Sequence, residues 1–293
     1  MRYALIGCGR IARRHIPAAL AAELDIVALC DLDVRRAARI AADIPGERAV
    51  PTYSDYRALL EQERPDLVAI ATDSGSHAAI ALHCLEQGIP VIIEKPMVLG
   101  SEDADRICRL SFEMGLPVAV CHQNRFNPAV AALRTALDTG ALGEPYYAAA
   151  AVRWHRGEDY YAQADWRGKW RTDGGVLMNQ CIHAADMLIH LLGAPKWVSG
   201  HIARRARPIE AEDFGAALIG FAGGRTAIFE GTALIEPGNL EETLFVAGSG
   251  GTARLALELI LAIYRSAKAG GGPVGFMEAP FDTTQMTGFF GKK

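Results

Sequence analysis

The chain has 293 residues, enough for two domains at roughly 150 residues each. Half of the residues are hydrophobic and 22% are charged, which excludes global disorder. The net charge of −4 and the dispersed basic residues exclude the electrostatic footprint of a nucleic-acid or anionic-membrane binder. The apolar run at residues 3–6 is too short for a signal peptide, and no stretch approaches the ~20 apolar residues of a membrane span. Cys8, Cys30, Cys84, Cys108, Cys121 and Cys181 contain no C-x-x-C pair. That pattern fits a reduced, cytoplasmic protein, and neither a disulfide framework nor a zinc site is expected.

In chain order, short Val- and Ile-rich runs at 3–6, 25–30, 66–71, 90–93 and 117–121 lack polar alternation. Strands buried on both faces of a parallel sheet have this character. Helical stretches lie between them at 10–22, 34–42, 54–63, 76–87 and 101–114, with Ser54 and Ser101 as the expected N-caps. Glu102 and Asp103 suit the positive end of the last helix, and Gly88 and Gly115 stand where helices end. Strand–helix alternation of this kind predicts a doubly wound α/β domain over residues 1–121.

From residue 122 to 293 the pattern changes to α+β. A helix at 128–138 precedes a strand at 145–154 and an aromatic-rich loop. A helix at 175–192 and strands at 196–204, 213–221, 226–234 and 243–247 follow, which predicts a mainly antiparallel sheet. Both alternating sets of 213–221 are apolar, so its second face is expected to be covered, by another subunit or from within the chain. A homodimer or homotetramer through this sheet is the expected assembly.

The first strand runs into Gly7-Cys8-Gly9-Arg10-Ile11-Ala12, a G-x-G-x-x-A opening a helix. The first glycine permits the turn, the second lets a pyrophosphate approach the backbone, and Ala12 lets the helix pack closely. Asp31 ends the second strand, where a carboxylate binds a ribose diol and repels a 2′-phosphate. NAD is therefore favoured over NADP, with Arg35 and Arg36 close enough to keep the second alternative open. Further along, Asn179, His183 and Asp186 fall at i, i+4 and i+7, a polar stripe on an apolar helix that needs partners or a cavity. Cys181 points off that face, so no metal is assigned to it. With six Lys against 24 Arg, Lys95 is an unusual choice for this chain, and an amine can be tuned where a guanidinium cannot.

Together these features resemble the Gfo/Idh/MocA family of nicotinamide-dependent oxidoreductases. Glu94-Lys95-Pro96 follows the run at 90–93 as the family's E-K-P follows a strand, and Gly174-Gly175 precedes the helix bearing Asn179 and His183. The similarity covers residues 1–250 and a later helix at 257–267. It implies a hydride transfer between the nicotinamide and a ring hydroxyl or ketone of a sugar, inositol or nucleotide sugar. By resemblance, His183 is the general base and Lys95 stabilises the developing alkoxide. Gly7, Gly9, Arg10, Ile11, Ala12, Asp31, Thr72, His77, Glu94, Lys95 and Trp166 are the implied cofactor contacts. Asn179, where many members carry an acid, Arg125 and Arg167 are the implied substrate contacts.

The stretch 178–183, with Trp166-Arg167-Gly168 and Arg125, resembles the branch acting on UDP-N-acetylglucosaminuronic acid. Arg153 and Arg171 are further cations that a diphosphate would need, and Trp154, Tyr160, Tyr161, Trp166 and Trp170 are candidates to wall a sugar site. Asp73 departs from the family's usual proline after Thr72. Two other functions stay open: an NAD-dependent glycoside hydrolase and a non-catalytic NAD-binding regulator. Relatives run longer, and the shortfall is expected near 252–256, ahead of a tail from Phe276 that docks on a neighbour or is disordered.

Overall fold

The computed structural model describes residues 1–46 and 49–256. The expected helix at 257–267 and the tail from Phe276 lie outside them. The described residues fall into two compact units: Met1–Cys121 with Lys169–Asp173, and His122–Gly168 with the described residues from Gly174 onward. The short segment Lys169–Asp173 thus leaves its sequence neighbours and packs with the first unit.

The first unit alternates β1 (Arg2–Ile6), α1 (Ala12–Ala21), β2 (Asp25–Cys30), α2 (Val34–Ala42), β3 (Thr52–Tyr53), α3 (Tyr56–Glu63), β4 (Leu67–Ile70), α4 (His77–Glu86), β5 (Val91–Ile93), α5 (Ser101–Met114) and β6 (Val118–Val120). The strands form one parallel sheet in the order β3-β2-β1-β4-β5-β6. Its two faces carry separate cores. Ala4, Ile6, Val68, Ile70, Val91 and Ile93 face Leu59, Ile80, Leu85 and Ile107 of α3 to α5. Tyr3, Leu5, Leu29 and Ala69 face Ala12, Ile16 and Ala37 of α1 and α2. Apolar side chains on both sides of each strand explain why the sequence shows runs in place of alternation.

Two capping expectations need correction. Asp55, not Ser54, caps α3, because its carboxylate accepts the Arg57 N–H. Ser101 is already helical, and Gly100 holds the cap position without a side-chain bond. The two-residue β3 was not expected; it is too short to carry a periodic signal.

The second unit contains α6 (Pro128–Asp138), β7 (Pro145–Arg153), α7 (Glu158–Tyr161), α8 (Val176–Asn179), α9 (Ile182–Leu192), β8 (Pro195–Ala203), β9 (Phe214–Phe221), β10 (Thr226–Thr232), β11 (Glu241–Gly248) and β12 (Gly251–Ala256). Its sheet runs β12-β11-β7-β10-β9-β8, and only the β7–β10 pair is parallel. Strand β12 occupies the stretch where a shortening was expected. Ala148, Ala150, Val152, Ala227, Phe229, Leu244 and Val246 point inward onto Leu133, Leu188 and Leu191 of α6 and α9. The opposite face carries the register row Ser199, Leu218, Ile228, Ala149, Phe245 and Arg254.

Asp213 closes the turn between β8 and β9. It is fully buried, and its carboxylate accepts the backbone N–H groups of Arg205, Ala206 and Arg207 at 2.8–2.9 Å. Removing the acceptor takes away the shared partner of three backbone N–H groups in the turn. Asp213→Ala is expected to lower stability by about 3 kcal/mol in urea unfolding, and Asp213→Asn by less, because it keeps one acceptor oxygen.

Candidate active site

Parallel strands end at one edge, and the loops there gather the candidate residues of the first unit. Gly7 leaves β1 at a φ of 98°, its N–H on the Cys30 carbonyl at 2.8 Å. A Cβ on Gly7 would lie 2.4 Å from the Ala71 carbonyl, so only glycine passes β4 there. A Cβ on Gly9 would meet nothing within 4 Å, which leaves an open cradle beside the α1 N-terminus. That terminus has no capping side chain and no acid in its first turn, as an anion-binding helix end requires. Ala12 is fully buried against the sheet, whereas Arg10 and Ile11 are exposed in the turn.

Asp31 stands beside this turn. Its carboxylate accepts the Cys8 and Asp33 N–H groups, both at 2.9 Å. Each oxygen keeps lone-pair capacity for a ribose diol. The Arg35 guanidinium is bonded to Asp33, and Arg36 lies 3.9 Å from the same carboxylate. The two cations that kept NADP open are thus drawn to Asp33. The residues present fit a dinucleotide carrying an unmodified ribose diol.

At the next loops, Thr72 accepts the Ser76 hydroxyl at 2.7 Å, and Ser76 also bonds Asp73. Asp73 therefore does polar work that a proline could not. His77 was expected at the cofactor. It is buried, with Nδ1 on the Pro96 carbonyl at 2.9 Å and Nε2 on the Thr72 carbonyl at 3.3 Å. It sits between these two loops, and a neutral ring donates to one of the two carbonyls at a time. Burial lowers its pKa below the ordinary value, which favours the neutral ring.

Glu94 and Lys95 follow β5, and Lys95 is half-buried. The Glu94 carboxylate bonds His15 at 3.1 Å and the Lys95 N–H at 3.2 Å. Burial alone would raise Glu94, but His15 and the Lys95 N–H outweigh it and hold the carboxyl below its usual range. Cys121 completes the group; burial and then Glu94 push its thiol up to about 12. His15, Glu94 and Cys121 bring three possible ligand atoms within 4.8 Å of one another. Neither His15 nor Cys121 was singled out in the sequence.

In the second unit, Gly174 has a φ of 72°, and a Cβ on Gly175 would collide with the Glu212 carboxylate at 1.7 Å. Glu212, missed in the sequence, accepts the Leu177 N–H at 3.0 Å and caps α8 from outside. The diglycine exists to admit that carboxylate. The helix expected over 175–192 breaks at Gln180 and Cys181, where the Cys181 N–H bonds Val176 five residues back. The break shifts the stripe: Asn179 ends α8 and its amide oxygen accepts Gln180 at 2.6 Å, while His183 is the second residue of α9.

Asp186 is buried and bonded by Arg125 through Nε at 2.8 Å and a terminal nitrogen at 2.5 Å. Arg125 is thus paired with this carboxylate. His122 is the residue that the sequence concealed. Its ring stands edge-to-face with His183, centroids 6.0 Å apart, and its Nδ1 lies 3.6 Å from Asp186.

Arg153 is likewise paired, with Glu230 and Glu241. Arg167 differs. Its guanidinium lies 4.1 Å from the Tyr160 ring centre and 4.6 Å from that of Trp166, and it donates to the Tyr160 hydroxyl. Its Nε is buried without a hydrogen-bond partner among the described residues. Gln180 also donates to Tyr160, and Arg156 bonds Gln180 and stacks on Trp154 and Tyr160. Trp166, expected at the cofactor, stacks with Arg167 in this aromatic and cationic cluster. Trp170 and Arg171 do not join it; they lie in the segment that packs with the first unit.

Residues 1–122 match an oxidoreductase family with an NAD-binding Rossmann fold, and residues 130–254 match the GFO/IDH/MocA C-terminal domain. The chain is 28% identical to a D-apiose dehydrogenase of Paraburkholderia graminis over 97% of its length and 76% of that protein's. It is 31% identical to a UDP-N-acetylglucosamine 3-dehydrogenase of Acidithiobacillus ferrooxidans, over 66% of this chain and 55% of that one. The WlbA dehydrogenase of Bordetella pertussis, solved with NADH and UDP-GlcNAcA, superposes with a TM-score of 0.83. That match has 34% identity and covers 87% of this chain and 78% of the other.

The buried His77 makes stability depend on pH. Its folded pKa lies below the unfolded value of 6.5, so the unfolded chain takes up a proton first as pH falls. Stability contributed by the neutral ring is present above that value and lost below it. His77→Gln is expected to show a smaller loss of stability than the parent protein between about pH 7.5 and about pH 5.5 in denaturant titrations.

Proposed function

The chain belongs to the GFO/IDH/MocA family of NAD-binding oxidoreductases, and we propose that it moves a hydride between NAD and a ring carbon of an anionic sugar derivative, a nucleotide sugar being the leading class. The observation that carries the substrate class is Arg167. A half-buried guanidinium stacked between rings, with its Nε unpartnered among the described residues, suits a phosphate or carboxylate. The UDP-GlcNAcA bound by the Bordetella WlbA dehydrogenase and the nucleotide-sugar dehydrogenase of Acidithiobacillus support the same class.

Residues 1–121 supply the cofactor domain in this reading, and residues 122–293 the substrate domain. The Gly7–Ala12 turn receives the pyrophosphate, Asp31 the adenosine ribose, and Thr72 and Glu94 the nicotinamide end. The nicotinamide, when bound, accepts or returns the hydride. His183 takes the hydroxyl proton during oxidation and returns it during reduction, since imidazole titrates near neutral pH. Lys95 donates to the substrate oxygen as it gains negative charge. Asn179, which cannot exchange a proton usefully, orients a neighbouring hydroxyl. The six free cysteines support a reduced, cytoplasmic setting.

Mixing the protein with NAD and a panel of neutral and acidic sugars tests this directly. NADH absorbance is expected to rise with acidic sugars, Lys95→Met to abolish turnover, and His183→Ala to cut it about 100-fold or more to a residual rate that can still be measured, with NAD still bound by both variants. Arg167→Met is expected to raise KM for anionic substrates about ten-fold or more and to leave neutral ones unaffected. Full activity in both the Lys95 and His183 variants overturns the assignment. Sugar release without net NADH points instead to NAD-dependent hydrolysis.

The open sheet face of the second unit supports self-association. Trp197, Leu218 and Ile228 are 50%, 42% and 44% exposed. Leu218 pairs with Ile228, and Trp197 lies across the neighbouring Gly220, so the three form one apolar patch. A second copy of the chain is the proposed cover. Light scattering is expected to show an oligomer, and Leu218→Lys to release monomer; a monomeric parent protein excludes the idea.

A further inference from the structure

We infer that His122 is a positioning residue for His183, held in place by the Asp186–Arg125 pair. The inference rests on the reading of His183 as the proton acceptor and deepens it. A general base must aim one ring nitrogen, yet the terminal torsion of a histidine is a broad rotor. His183 stands near the start of α9, one residue past the helix break, so its own helix constrains it less than a mid-helix position would. A neighbour must set the plane of the ring.

His122 meets that need. It follows β6 and opens the short turn Gln123–Phe126. Its plane is turned 88° from that of His183, an edge-to-face contact that aromatic rings prefer. Asp186 lies three residues after His183 on α9 and shares its face. The Asp186 carboxylate, 3.6 Å from His122 Nδ1, favours the tautomer with the proton on that nitrogen. Arg125 grips the same carboxylate at both oxygens. The pair fixes the carboxylate in place. It also offsets the negative charge, so His122 is oriented without a strong field falling on His183. The arrangement runs from Arg125 through Asp186 and His122 to His183, and each link is a contact within the second unit.

A double-mutant cycle on the full-length protein tests this. His122→Ala is expected to lower kcat about 10- to 100-fold, as misplaced catalytic groups do, with KM for NAD and for the sugar within about three-fold. His122→Phe keeps the edge-to-face ring but loses the Asp186 contact, and is expected to recover part of the rate. In a His183→Ala background, His122→Ala is expected to cost nothing more, because its effect passes through His183. Circular dichroism of each variant shows whether the fold is kept.

If His183→Ala is reduced to its residual rate while His122→Ala is fully active, or raises KM without touching kcat, the inference fails and the wider reading stands. A further loss from His122→Ala in the His183→Ala background also overturns it. If His183→Ala retains full activity, the wider reading fails and this inference with it.

Discussion

Gly7 leaves β1 so close to the Ala71 carbonyl that a Cβ would come within 2.4 Å. That crossing is possible because β1 and β4 are spatial neighbours at the point where the strand order reverses. Chains leave the sheet in opposite directions at such a point and open a crevice at the strand ends. Everything chemical in the first unit hangs on that edge. The Ala71 N–H bonds Ile6, the Glu94 N–H bonds Ile70, and the Cys121 N–H bonds Ile93, so each strand hands its loop to the next in register. Asp31, Thr72, Glu94 and Lys95 are delivered by backbone pairing, before any side chain acts.

The second unit relies on buried carboxylates. Glu212 fills the space that Gly175 leaves and caps α8. Asp213 gathers three backbone donors. Asp186 binds Arg125 and faces His122. Asp186 and Asp213 each meet two or more directed donors, and Glu212 and Asp186 lie on the start and the face of helices that bear candidate site residues. A buried anion with directed partners positions more sharply than apolar contact, because hydrogen bonds have preferred directions and dispersion does not.

The two sheets differ in what covers them. The first is wrapped by helices on both faces, and its strands read as uniform apolar runs. The second is covered by α6 and α9 on one face, yet Leu218 and Ile228 keep the other face apolar. Both strand signatures could be seen in the sequence, and they separated the α/β half from the α+β half. The parallel pairing of β7 with β10 could not be seen, because strands adjacent in space but distant in the chain leave no local mark.

Local chemistry was legible wherever one residue type answers one local demand. The glycine turn, Asp31 at a strand end, the rare lysine after β5 and the diglycine before α8 are all of this kind. Partnership was not legible. Arg125, Arg153 and Arg167 look alike in the sequence, but two are neutralised by carboxylates and one is held by rings. His77 is withdrawn behind Thr72 and Pro96, and His122 is drawn forward against His183. The sequence by itself determined the periodicity, the turns and the candidates for reactive groups, because these depend on near neighbours along the chain. Tertiary structure alone decided which charges are spent on one another and which are left for a ligand, since a charge's partner is set by distance in space.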